Sequence, residues 1–227
     1  MIQSDTILAL ESATEACSAA VWRDGALIAH RFEARRRGHA AYLMVQVREV
    51  MAEAGLAFSA LSRIATTVGP GGFTGLRIGL ASARALALAA GKPLIGLTTL
   101  ETVAAAQDPD GAPLLIAIDS KRADLYVQLF APDLTPLGAP AALLPEAIAA
   151  RLPDGPVAVA GNAAAMVVDA LSSPARPLRL LAGPALPDAA QVAQIAAGRA
   201  APPPDAPPPA PLYLRPPDAK IPVSRRP

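Results

Sequence analysis

Apolar and polar positions change period along this chain in an order that occurs twice. Residues 6–11 are short and almost wholly apolar, as a buried strand requires. A polar turn follows at 12–15, then a second strand over 17–22, a hairpin signal at Asp24 and Gly25, and a third strand over 26–32. Residues 39–54 switch to helical spacing, with Leu43, Val47, Val50 and Ala54 on one stripe and Gly55 at the end. A β-branched run at 64–68 leads into Gly69-Pro70-Gly71-Gly72-Phe73-Thr74-Gly75-Leu76-Arg77-Ile78-Gly79 and an alanine-rich apolar run to Ala90, which reads as strand, glycine turn, helix. Gly91 and Pro93 stop that helix. A strand is expected over 94–97, and residues 98–101 carry the capping-box pattern of a helix ending near Gln107.

The run Asp108-Pro109-Asp110-Gly111 breaks the chain, and the pattern then restarts. Leu115-Ile116-Ala117-Ile118-Asp119-Ser120 echoes Ile7-Leu8-Ala9-Leu10-Glu11-Ser12. A polar turn with Lys121 and Arg122, a strand over 125–130, a third strand over 137–143, a helix over 145–152 with Pro at its start and a strand over 156–160 repeat the first half. Gly161 and Asn162 open another helix where the glycine loop stood. Three strands, helix, strand, helix, twice over, predicts an α/β protein of two related lobes with mixed sheets covered by helices. The boundaries read as 1–107 for the first lobe, 108–200 for a smaller second lobe and 201–227 for a proline-rich tail. The tail has too many prolines to pack as regular structure and should be extended or mobile. Within it Pro211-Leu212-Tyr213-Leu214-Arg215-Pro216-Pro217-Asp218-Ala219-Lys220 departs from low complexity and is the part expected to dock.

The glycine loop and its helix hold the first candidate chemistry. Thr74 reads as the N-cap, so the helix start would offer free N–H groups to an anion, with Arg77 adding a cation. The loop lacks the Gly-Lys-Ser/Thr of a phosphate-binding P-loop and the register of a dinucleotide fingerprint. A tight strand-to-helix turn is the plainer account. In the helix, Gly75, Gly79 and Ala83 make a face of small residues, and Leu76 and Leu80 continue an apolar surface interrupted only by Arg77 and Arg84. Such a helix is expected to be covered on nearly all sides. The helix over 39–54 also carries surplus apolar side chains, Tyr42, Met44, Val45 and Met51, suited either to a wide core face or to a second surface.

Glu11 and Asp119 end the first strand of each lobe, and in such sheets ligands sit beyond the carboxyl ends of the strands. The pair is therefore expected to face a shared cleft, where it can hold Mg²⁺ near phosphates or serve simply as polar strand ends. Ser12, Gly71, Gly72, Thr74 and Gly161 join it as candidate nucleotide or anion contacts.

Composition narrows the classes. The 227 residues suffice for one or two domains, and a formal net charge of +1 supplies no strong field toward nucleic acid or an anionic membrane. Arg35, Arg36 and Arg37 form a local basic run, read as a solvated loop or as an RNA-phosphate contact. The single cysteine, Cys17, permits no internal disulfide and suits a reducing compartment. His30 and His39 are the only histidines and lack metal-site spacing, so no metal is assigned. No secretory leader or uninterrupted membrane-length run is read, which makes a cytoplasmic location the expectation.

Three stretches carry a resemblance. Residues 7–10 through Glu15-Ala16-Cys17-Ser18, the glycine loop at 69–79, and Tyr213-Leu214-Arg215-Pro216-Pro217 closely resemble the TsaB (YeaZ) family, with the second lobe more loosely matched. The resemblance implies an actin-like fold, a duplicated ribonuclease-H-like architecture. It implies a part in making threonylcarbamoyladenosine beside the tRNA anticodon, where such proteins pair with the catalytic paralogue TsaD and work with the ATPase TsaE. It places the TsaD contact on the first-lobe helices, which here offer His39, Tyr42, Leu43, Met44, Val47, Met51, Gly75, Leu76, Gly79, Leu80 and Ala83. It implies tRNA contact through the complex, and ATP or ADP with Mg at the complex rather than in this chain. Whether the free chain forms a homodimer through the same surface stays open. Two departures stand out: the family usually has Asp at the position of Glu11, and TsaD-type chains bind metal through a paired-histidine helix where this chain has His39 alone. With no catalytic residue assigned, the expected role is a scaffold subunit. The rivals are an actin-fold small-molecule kinase binding Mg-ATP through Glu11, Asp119 and the glycine loops, and a metallopeptidase-like protein.

Overall fold

A computed structural model describes residues 5–203 and 206–215. The first lobe runs β1 (Thr6–Glu11), β2 (Ala16–Arg23), β3 (Ala26–Ala34), α1 (His39–Glu53), β4 (Arg63–Gly69), α2 (Phe73–Ala90), β5 (Leu94–Thr98) and α3 (Thr99–Ala104). The second runs β6 (Leu114–Asp119), β7 (Leu125–Phe130), β8 (Ala141–Leu143), α4 (Pro145–Ala149), β9 (Val157–Ala160), α5 (Ala164–Leu171) and β10 (Leu178–Leu180), followed by α6 (Ala189–Ala197). The strand orders are β3-β2-β1-β4-β5 and β10-β9-β6-β7-β8. Read from the equivalent end, these are the same order. In each sheet the first strand pairs antiparallel with the second and parallel with the fourth. This is the duplicated, actin-like α/β fold.

Alternation along β1 explains the layers. Leu8 and Leu10 join Leu43, Val47, Val50 and Met51 of α1 and Ala83 and Ala87 of α2 in one core. Ile7 and Ala9 point the other way, onto Ala189, Val192, Ala193 and Ala196 of α6. The second sheet is built alike. One face meets α4 and α5 through Ile148, Ala164 and Val167, while Leu114, Ile116 and Ile118 meet Leu100, Val103 and Ala104 of α3. The helix between the lobes is thus exchanged: α3, from the first half of the chain, covers the second sheet, and α6, from the second half, covers the first. A cut between residues 107 and 108 therefore separates the sheets but not the cores, because one face of each sheet is covered by a helix from the other half of the chain.

Several expectations change in detail. The N-cap of α2 is Gly72 in extended conformation with no side-chain bond, so Thr74 sits inside the first turn, exposed. The expected strand over 137–143 shrinks to β8 with an isolated bridge between Phe130 and Pro136, since Pro136 and Pro140 lack the N–H a ladder needs. The helix over 145–152 ends at Ala149, and β10 is a strand the pattern did not announce. The capping box at Thr98 is present in full.

The helix α2 is long and apolar enough to cross a membrane by length and composition. Here it lies on β4 and β1 through one face only, burying Leu76, Gly79, Leu80, Ala83 and Ala87, and Leu88 stands 86% exposed. Coverage on nearly all sides is not what the fold provides.

Candidate functional site

The turn after β1 and the start of α2 are pressed together. A Cβ at Gly71 would lie 2.2 Å from the Ala13 carbonyl oxygen, one at Gly75 would lie 2.2 Å from that of Ser12, and one at Gly79 would lie 2.7 Å from Ser12 Oγ. The Gly72 N–H donates to Ala13 O at 2.7 Å, and Ser12 Oγ–H donates to Gly75 O at 2.9 Å. These glycines are required by close backbone approach. The second lobe repeats the device, since a Cβ at Gly161 would lie 2.2 Å from Ala117 O. Gly161 therefore serves packing, and so does the small-residue face of α2.

Between the lobes lies a cleft of about 540 Å³. It brings together the expected Gly71, Gly72, Thr74 and Asp119, and adds Thr14, Glu15, Arg36, Arg37, Lys121 and Asn162. Glu11 does not line it. Glu11 is fully buried beneath the turn, where Oε1 accepts from the Ala13 N–H at 2.6 Å and from Thr67 Oγ1–H at 3.3 Å. Burial is the dominant effect and pushes its carboxyl up to about 8, only partly offset by the bonds from Ala13 and Thr67. Near neutral pH it is mostly the uncharged acid.

Asp119 does reach the cleft, but its charge is already answered. The Lys121 N–H donates to Oδ1 at 2.7 Å and Lys121 Nζ to Oδ2 at 2.8 Å, and the same ammonium reaches Glu15 Oε1 of the first lobe at 2.9 Å. Partial burial by itself would raise Asp119; the bonds from Lys121 outweigh it and hold the carboxyl below its ordinary value. Asp119 and Glu15 in turn raise Lys121. A Mg²⁺ shared by Glu11 and Asp119 does not fit these residues, because one carboxyl is walled off and the other holds an ammonium. Among the described residues no group of three or more His, Cys, Asp or Glu side chains is placed to hold a metal ion. Lys121 was legible only as a member of a polar turn; its register after β6 places it across from Glu15.

The candidate partner residues divide sharply. Leu43, Val47, Met51, Leu76, Gly79, Leu80 and Ala83 are buried against the sheet, so their side chains are spent inside the lobe. His39 is largely buried too, and its Nε2 lies 3.0 Å from the Thr14 carbonyl, an acceptor, to which it donates. Gly75 is packed on Ser12. From that set only Tyr42 and Met44 stand outward on α1, 43% and 42% exposed, joined by Val45. On the neighbouring α2 the exposed apolar positions are Phe73, Ala81, Ala85, Leu88 and Ala89. Arg35 stacks its guanidinium 3.2 Å over the Tyr42 ring and pairs with Glu33, which ties part of the basic run to the fold.

The model of the family described as "TsaD: tRNA N6-adenosine threonylcarbamoyltransferase" matches residues 28–181, more than half of the chain. YeaZ from Pseudomonas aeruginosa superposes with a TM-score of 0.79 at 30% identity, covering 92% of this chain and all of that one. The chain belongs to the TsaB (YeaZ) family. The tRNA threonylcarbamoyladenosine biosynthesis protein TsaB of Escherichia coli (strain K12) is 42% identical over 122 residues, 53% of this chain and 52% of that protein. A tRNA N6-adenosine threonylcarbamoyltransferase of Erythrobacter litoralis is 48% identical over 69 residues, 30% of this chain and 20% of that protein. The chain thus spans about half the length of the curated TsaB relatives it matches. On the outer side of the first lobe, Met44 and Val45 of α1 stand exposed, as do Leu27, Ile28 and Phe32 of β3.

Proposed function

We propose that this chain is the non-catalytic subunit of a cytoplasmic complex that transfers a threonylcarbamoyl group to the tRNA adenosine beside the anticodon. Its part is to bind and stabilise a TsaD-type subunit. The observation that carries the reading is the outer face of α1, where Tyr42, Met44 and Val45 stand exposed together on one helix. Exposed apolar side chains grouped on one helix are what a partner surface would cover. The cleft chemistry supports the same division of labour. Glu11 is buried away from the cleft and mostly neutral, Asp119 in the cleft is held by Lys121, and general acid–base work needs a group able to reach substrate. TsaE is a second partner, tRNA is met through the complex, and ATP or ADP with Mg acts at the complex rather than in this chain.

The test is co-purification with the TsaD of the same cell, followed by mass and size analysis. The expected result is a defined complex that Met44→Asp and Val45→Asp disrupt while each variant keeps its circular dichroism and melting temperature. Leu80→Asp is unsuitable as an interface variant, because a charge at a buried position unfolds the lobe. An intact complex with both surface charges in place would move the interface elsewhere. Self-association lost with the same variants, and no TsaD complex, would assign the face to a homodimer instead.

A further inference from the structure

The tail leaves α6 and crosses back over the molecule. Arg84 of α2 donates to the Pro209 carbonyl, and Pro209 lies over Gly96, where a Cβ would come within 2.7 Å of the proline ring. The Leu212 N–H then donates to Val68 O at 2.7 Å, near the C-terminal end of β4 where its register with β5 shifts. Tyr213 stacks on Phe73 with ring centroids 6.1 Å apart, and its hydroxyl accepts from Arg77 Nε at 3.0 Å. All of these partners belong to the first lobe. Two residues on, Arg215 changes lobe: its Nε donates to Asp124 Oδ2 at 2.6 Å and a terminal nitrogen donates to Ser120 Oγ at 2.8 Å. Ser120 and Asp124 bracket the turn after β6, the same turn that carries Lys121 into the cleft.

We infer that residues 207–215 are a strap that holds the two lobes at one opening of the cleft, with Arg215 as its latch on the second lobe. The anchoring on the first lobe is spread over backbone, stacking and proline contacts. The anchoring on the second lobe is concentrated in one forked guanidinium, so the strap releases at that end first. Release frees the 120–124 turn and lets the Lys121–Glu15 pair separate. Binding events that need a wider cleft are thereby opposed by the latch.

The test places spin labels at Ala52→Cys on α1 and Ala170→Cys on α5, both exposed, with the buried Cys17 left unlabelled. The otherwise unaltered chain should give one narrow interlobe distance. Arg215→Ala should broaden or lengthen it and should speed amide exchange over residues 119–125 about tenfold, the loss of a charged hydrogen-bonded anchor. A chain ending at Ala206 should do the same, and one ending at Pro216 should not. If truncation unfolds the protein, Arg215→Ala decides alone, because it removes a half-buried side chain from a turn. Unchanged distances and exchange in a folded Arg215→Ala variant would overturn the inference.

Discussion

At the scale of single residues, the glycine loop shows how a motif that suggests ligand chemistry can be an answer to packing. Gly75 has no room for a methyl group, since the obstructing atom is a backbone oxygen that cannot swing away. Gly75→Ala should cost about 3 kcal/mol, read as a lowered melting temperature, whereas Gly138→Ala, with nothing near its added Cβ, should be nearly neutral. Glu11 makes a second prediction. Its folded value near 8 lies above the ordinary carboxylate value of 4.5, so between these the folded state binds the proton more tightly than the unfolded one. Stability from this group is present in full below about 4.5, falls as pH rises, and levels off above about 8. Urea midpoints measured from pH 5 to pH 9 should show that decline, and Glu11→Gln should flatten it.

Among the elements, α1 and α2 differ in what they do with surplus apolar surface. Both place one stripe on the first sheet and leave other apolar side chains outside. A charge therefore has opposite effects a few residues apart: Val47→Asp should abolish folding, and Met44→Asp should leave the isolated chain folded. Circular dichroism of the two variants settles it. The short α3 depends on its ends more than on its length. Thr98 Oγ1 accepts from the Glu101 N–H at 3.0 Å while the Glu101 carboxylate takes the Thr98 N–H, and Glu101 also pairs with Arg199 beyond α6. Thr98→Ala should cost about 1 kcal/mol, visible in a denaturant melt.

Over the whole molecule, the exchanged helices and the strap make two lobes into one cooperative unit. Asp188 caps α6 through the Ala190 N–H at 3.0 Å and binds His30 Nε2 of β3 at 2.7 Å, so the last helix is tied to the first sheet by its cap as well as by its apolar face. Residues 5–107 produced alone lack α6 and leave Ile7, Ala9, Ile95 and Leu97 uncovered. That fragment should be insoluble or unfolded, and joining residues 184–203 to it through a flexible linker should restore a folded lobe. A soluble, cooperatively melting fragment without α6 would contradict the exchanged-helix account.

The sequence alone determined most of the elements, the duplication and the family, because period, turn residues and the glycine loop are local or short-range signals. The echo of residues 7–12 in 115–120 already implied paired sheets, and the capping box at Thr98 needed only four residues to be read. Tertiary structure alone decided which apolar residues are core and which are surface. Met44 and Met51, seven residues apart, share nearly the same face of α1, yet one is exposed and the other buried, since what covers each turn of the helix is set by segments elsewhere in the chain. The same holds for the two carboxyls: Glu11 and Asp119 are equivalent in the repeat, but α6 and the packed turn bury one while Lys121 meets the other at the cleft. Burial and charge pairing are properties of the assembled lobes. The lobe exchange of α3 and α6, and the places on which the tail docks as far as Arg215, are long-range choices that no local pattern encodes; residues 216–220 of the expected docking stretch lie outside the described residues.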